Sequence, residues 1–299
     1  VAGSIGRLGY GIVGATVIAW FANTKQPYAW ALFFWSMLVF LFNFLLVKVA
    51  NKYEIADTSL ETRLAAGKNK EVKIGLKDMI GAMKGKAAWY YLSSFFGNIH
   101  GGFFFTLLVY YTSYVLNSPE TMALAVTWVS IGGIVGSLIT PYVVRFFKDI
   151  RMAYVWSMIG MGVMYFLTYV WGYIPVAFLI IRTLIGVVTS IAGVLYNAIA
   201  NNVITYNELK GQSNAKAFVF GMASVLSTFG YTLSTVVASF GLAIAGYQAG
   251  QEITAKVMNG ISIMMGIGPA IFCFITAFCI FMCKMDEKEL DDYRAQKAM

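Results

Sequence analysis

Charge is what this sequence has least of. Only 12% of its 299 residues are Asp, Glu, Lys or Arg, against roughly 25% in soluble domains, which excludes a surface turned wholly to water. Histidine occurs once, at His100, so a closed histidine shell around a metal is excluded. The three cysteines, Cys273, Cys279 and Cys283, all fall in or at the end of one apolar run. That placement fits neither a disulfide framework nor a zinc spacing, and small packing or lipid-facing residues are expected. A phosphate-binding glycine loop, a Gly-x-Ser-x-Gly turn and an acidic pair inside an apolar run are all missing, so neither an ATPase domain nor another enzyme is expected.

What is present is apolar sequence. Hydrophobic residues make up 59% of the chain, in runs that reach the ~18–20 residues needed to cross a ~30 Å hydrocarbon layer as helix. Eight segments stand out, at 3–21, 28–47, 88–115, 122–144, 152–171, 174–200, 215–246 and 257–283. Membrane-spanning strands would alternate in polarity over ~10 residues, whereas these runs are continuous. An all-α polytopic membrane protein with about eight transmembrane helices is expected, with membrane lipid as its surroundings.

The formal net charge of +8 is confined to a few turns. Nine basic residues, from Lys48 to Lys86, connect the second and third segments. Arg145, Lys148 and Arg151 follow the fourth, Lys210 and Lys216 follow the sixth, and Lys284, Lys288, Arg294 and Lys297 follow the last. The intervening turns hold only Lys25 and Lys256. Positive charge accumulates on the cytoplasmic side, which puts both termini and the 48–87 connection there. The same pattern argues against a nucleic-acid partner.

Residues 48–87 read as a polar cytoplasmic linker between two helices (1–47) and a six-helix bundle (88–283), with 284–299 as a cytoplasmic tail. The six helices fit two sets of three with opposite topology, the nested repeat of many secondary transporters. The chain begins at Val1, with no Met and no leader pattern, and is expected to be a fragment or processed product.

Ionisable residues inside lipid are costly and default to function. Here they are Arg7, His100 and Arg182, while all fourteen acidic residues lie in turns, at helix edges or in the tail. Arg7 reads either as a donor facing a polar cavity or as an arginine snorkelling to headgroups. Arg182 reads as a snorkelling residue, a helix-to-helix bond or a site residue. His100, in Asn98-Ile-His-Gly-Gly, reads as a cavity residue together with Asn98 or as a packing histidine. The segment at 88–115 carries eleven aromatic residues, from Trp89 to Tyr114. Belt and lipid contact is the default reading, with stacking on a sugar ring as the other. Glycines 132, 133 and 136, and 221, 230 and 241, permit close helix approach.

Residues Asn201-Asn-Val-Ile-Thr-Tyr-Asn-Glu-Leu-Lys-Gly211 resemble the Asp-x-x-Asp-Tyr-Gly-Glu-x-(Lys/Thr)-Gly turn of the glycoside–pentoside–hexuronide:cation symporters, the melibiose permease family within the major facilitator superfamily. The tail Lys284-Met-Asp-Glu-Lys-Glu-Leu-Asp-Asp-Tyr-Arg294, the basic turn Pro141 to Arg151, and a first segment with Arg7 ahead of Gly14 are similar to that family too. The resemblance spans essentially the whole chain. It implies a major facilitator fold lacking its first four helices, so that the segments match helices five to twelve.

The function so implied is symport of a glycoside, pentoside or hexuronide by alternating access in a bacterial plasma membrane. Na+ or H+ would be the coupling cation, with carboxylate ligands in the missing part, and no other cofactor is implied. Arg7 falls where the family has a sugar-site arginine, and Tyr196 and Asn197 match the cavity-facing part of its tenth helix. Thr228 aligns where melibiose permease has a lysine. With Asn98 and His100 these form the expected substrate-binding set. Glu208, Lys210, Arg145 and Arg151 are the expected cytoplasmic gate. Asn202 and Thr205 stand in place of two aspartates, and Asn214 in place of a basic residue, so much of that turn's charge network is absent. The alternatives are a same-fold carrier of another solute, such as a lysolipid, or a non-transporting membrane interaction protein or inactive fragment.

Overall fold

A computed structural model of the chain describes residues 83–147, 149–210, 215–248 and 253–285, with short stretches and single positions elsewhere. The chain divides into two compact units, Gly9–Gly75 and a second made of Val1–Leu8 with Leu76–Met299. In the first, a short apolar helix covers Ser36–Leu45, and the Lys48 ammonium lies 5.0 Å from the centre of the Phe44 ring. Arg7 and the segment around it lie outside the described residues, as do most of the 48–87 connection and Asn214.

The second unit is a bundle of helices, and no strand occurs among the described residues. Among the described residues six spans are long and apolar enough to cross a membrane. The first is interrupted: α1 (Lys86–Gly97) and α2 (Ile99–Tyr110) meet at Asn98, and a π-helical turn follows at Tyr111–Val115. Then come α3 (Thr121–Phe147), α4 (Ile150–Trp171), α5 (Pro175–Leu209), α6 (Ala215–Ala245) and α7 (Ala255–Met282). Local chemistry sets several starts. Asp149 accepts from the backbone N–H of Arg151 at 2.8 Å and of Met152 at 3.2 Å, capping α4. Thr254 accepts from the N–H of Val257 to cap α7, and Pro175 opens α5, where its missing N–H costs nothing.

The strongest packing pairs have an exchange symmetry. The span made of α1 and α2 packs on α6 and α7, while α5 packs on α3 and α4, and α4 packs on α7. Exchanging the first three spans for the last three in order maps these pairs onto each other, as a nested three-plus-three repeat requires. Both α3–α5 and α2–α6 use glycine to bring backbones together. A Cβ at Gly132 or Gly136 would run into the α5 backbone at Thr183 and Val187, and one at Gly186 into Val129. A Cβ at Gly102 would overlap Ser234 of α6. Gly221, by contrast, faces open space.

Three expectations need correction. Residues 201–209 belong to α5 rather than to a turn. Ala200, Val203, Ile204 and Asn207 are buried at helical spacing, so the inner face of the helix continues although its outer face turns polar. Of the eleven aromatic residues between Trp89 and Tyr114, only Phe105 is exposed. The middle rings, Phe103 and Phe104 among them, are buried between helices rather than facing lipid, while Trp89, Tyr110 and Tyr114 at the span ends are half-buried. Arg182 does not snorkel but is fully buried. The three cysteines are buried packing residues.

Candidate solute-binding site

Two apolar clusters stack along the bundle. One gathers Tyr90, Tyr154, Met158 and Leu195 toward the basic end, and the other gathers Phe103, Phe104, Phe178 and Ile261 toward the opposite end. The break at Asn98 falls between them. Asn98 and the glycines around it are poor helix formers, and a helix interrupted at membrane depth needs its freed backbone groups satisfied by neighbours. Ser227 of α6 serves that purpose. It accepts from Asn98 Nδ2 at 3.0 Å and donates to the Ser94 carbonyl at 3.2 Å.

Beside this break lies a cavity of about 250 Å³. Its walls come from Ser93, Ser94 and Gly97 of α1, Asn98, His100 of α2, Tyr154, Met158 and Met161 of α4, and Thr189, Gly193, Tyr196 and Asn197 of α5. The structure thus brings together four of the residues singled out from sequence: Asn98, His100, Tyr196 and Asn197. Asn98 and Asn197 are exposed, with Asn197 anchored by Nδ2 to the Gly193 carbonyl at 3.0 Å. Tyr196 is hydrogen-bonded to the Ser94 hydroxyl. Its ring stacks on Tyr90, with centres 5.0 Å apart and planes at 18°, and tilts against Tyr154. The rings fix the phenol and leave its hydroxyl on the wall.

The wall holds hydroxyls, amides and one imidazole, with no carboxylate and no Lys or Arg. Among the described residues no cluster of His, Cys, Asp or Glu has the makings of a metal site. Such a surface suits an uncharged polar solute held by hydrogen bonds and ring contacts.

Thr228 is not part of this cavity wall. It belongs to a stripe on α6, with Ser224, Thr232, Thr235 and Ser239 at spacings of three or four residues. Each of the last four hydroxyls in the stripe returns to a carbonyl one turn back, at 2.7–2.9 Å. The hydroxyl spacing of the stripe is visible in the sequence, whereas Ser227 gains its role only from the helix break opposite it.

The expected gate residues all sit at the basic end. Arg151 pairs with Asp149 at 3.6 Å and donates to the Phe281 carbonyl at 2.7 Å. Lys210 places its ammonium 4.3 Å from the Tyr206 ring centre. Arg145 is exposed in the last turn of α3, and Glu208 is half-buried at the end of α5.

Comparison with known proteins decides the family. The sequence matches the MFS/sugar transport protein family over residues 3–287. The chain belongs to that family. It is therefore an integral membrane protein of the major facilitator type, and its kin are transporters rather than enzymes. Over 188 residues it is 26% identical to the uncharacterized symporter YjmB of Bacillus subtilis (strain 168). The match covers 61% of this chain and 40% of that relative.

Proposed function

We propose that the whole protein is a cation-coupled sugar symporter of the glycoside–pentoside–hexuronide type, with the cavity beside Asn98 as one wall of its sugar site. The observation that carries this reading is the convergence of Asn98, His100, Tyr196 and Asn197 at an interrupted helix deep in the bundle, the kind of place where secondary transporters bind their cargo. The match to a named symporter supports coupling to an ion gradient, with Na+ or H+ as the cation.

In this reading the amides of Asn98 and Asn197 bond sugar hydroxyls, while Tyr196 supplies both a hydroxyl and a ring edge. Arg7 and Thr228 contribute from other walls, and Arg145, Arg151, Glu208 and Lys210 close the cytoplasmic end. The protein rocks between states that differ in affinity for sugar and cation, and that difference is the coupling. The test is uptake by proteoliposomes of a panel of labelled methyl glycosides, pentosides and hexuronates, with and without imposed Na+ or H+ gradients. Gradient-driven accumulation of at least one sugar is expected. Uptake of none, or uptake indifferent to both gradients, contradicts the symporter reading.

A further inference from the structure

Arg182 is the one fully buried cation described in the bundle, and nothing in the proposed transport chemistry uses it. No acidic residue of the chain lies within the apolar runs to pair with it. Three rings surround it instead, with the guanidinium carbon 4.9 Å from the centre of Phe104, 5.0 Å from Phe178 and 5.2 Å from Tyr165. Nη2 donates to Thr168 at 3.3 Å, and Nε and Nη1 have no protein acceptor. Burying a charge this way is costly, and the ring contacts offset part of that cost.

Of the three rings, Tyr165 is the one hydrogen-bonded to a residue of the cavity wall. Its hydroxyl lies 3.1 Å from Nδ1 of His100, a cavity-lining residue and the sole histidine of the chain. A hydroxyl either donates or accepts there, and a neutral imidazole has one donor and one acceptor nitrogen. A guanidinium is donor-only and permanently charged. Held over the face of Tyr165, it draws density from the ring, which makes the phenol O–H a better donor and its oxygen a poorer acceptor. The hydrogen bond then runs from Tyr165 to Nδ1, and the bond at one imidazole nitrogen sets the tautomer at the other.

We propose that Arg182 and Tyr165 are positioning residues that hold His100 in its Nε2–H tautomer, so that the cavity presents a fixed N–H donor to an oxygen of the solute. The second half deepens the sugar-site reading and rests on it; the first half stands alone. It also assigns an order to the wall: a buried cation polarises a phenol, the phenol fixes an imidazole, and the imidazole reads the solute.

Having a single histidine makes the test direct. In protein carrying 15N-histidine, in detergent and without solute, at a pH above the ordinary histidine range, nitrogen shifts report the tautomer of one residue. The expected result is Nε2–H favoured by about tenfold or more, the fold-change carried by one net hydrogen bond of ~1.4 kcal/mol. Tyr165→Phe, which keeps the ring, should lower the bias to the weaker Nε2–H preference of free histidine. Arg182→Met should do so in part, while Arg182→Lys, which keeps the cation, restores the bias. Thermal unfolding confirms that each variant is folded, and Tyr165→Phe alone decides the matter if Arg182→Met is not. A dominant Nδ1–H tautomer in the parent protein, or an unchanged bias in folded Tyr165→Phe, overturns the proposal. Titrating methyl glycosides then reads the sugar site separately. A fixed tautomer whose Nε2–H resonance no sugar shifts upholds the positioning role and counts against the sugar reading.

Discussion

Ser94 on α1 and Tyr196 on α5 share a hydrogen bond across the cavity wall, joining the interrupted span to the longest helix of the bundle. Both residues are anchored on their own sides: the Ser94 hydroxyl also reaches the Tyr90 carbonyl at 3.0 Å, and the Tyr196 ring stacks on Tyr90. The phenol is therefore held ready before a solute arrives. Preorganisation of this kind limits the cost of binding.

Removing that hydroxyl should cost affinity more than stability. For Tyr196→Phe we expect the dissociation constant for the transported sugar to rise about tenfold, or ~1.4 kcal/mol, with the ring stack intact. Calorimetric titration beside thermal unfolding separates the two effects. An unchanged affinity would take Tyr196 out of the site.

The α3–α5 crossing should tolerate no side chain. Gly136→Ala drives a methyl into the Val187 backbone, and overpacking of this sort typically costs ~1–3 kcal/mol. Gly221→Ala, in open space on a helix, should be neutral or gain up to ~1 kcal/mol from propensity. Melting temperatures of the two variants in one detergent should move apart, with Gly136→Ala clearly the lower.

Asp149 both caps α4 and pairs with Arg151. Asp149→Ala should lower stability by ~1 kcal/mol, the usual worth of an N-cap. Asp149→Asn, which still accepts from the two backbone N–H groups, should recover most of it. If both variants melt alike, the cap is not what the carboxylate contributes.

The native thiols should be silent. Cys273, Cys279 and Cys283 are each no more than 3% exposed, so folded protein should resist a membrane-permeant maleimide and take up label only after denaturation in SDS. Rapid labelling of the folded protein would show that α7 is not packed as described.

The six spans after residue 87 were legible because hydrocarbon demands continuous apolar helix, and a run such as 257–283 admits no other reading. The end of α5 was not. Asn201, Asn202 and Thr205 look like turn residues, and their helical state depends on burying Val203 and Ile204 against neighbours that local sequence does not name. Of the cavity residues, Asn98 and His100 are marked in the sequence as polar groups beside glycines, and Tyr196 and Asn197 by family resemblance. The burial of Arg182 was illegible for a different reason. Phe178 lies one turn before it on α5, but Phe104 and Tyr165 come from α2 and α4, and only tertiary packing brings those two rings in and turns a snorkelling candidate into a caged cation. Ser227 escaped notice likewise, since its role depends on a helix break sitting opposite it.

The central claim is that a water-reachable polar cavity lies inside the membrane bundle beside Asn98. Asn197→Cys tests it most directly, because the native thiols are buried and a new one would face the cavity. In proteoliposomes this thiol should react with a charged, membrane-impermeant methanethiosulfonate, and the transported sugar should slow that reaction. Leu138→Cys, on an exposed apolar face of α3, should stay unmodified in lipid. An unreactive Asn197→Cys, or one that reacts equally fast with every sugar present, would contradict the account.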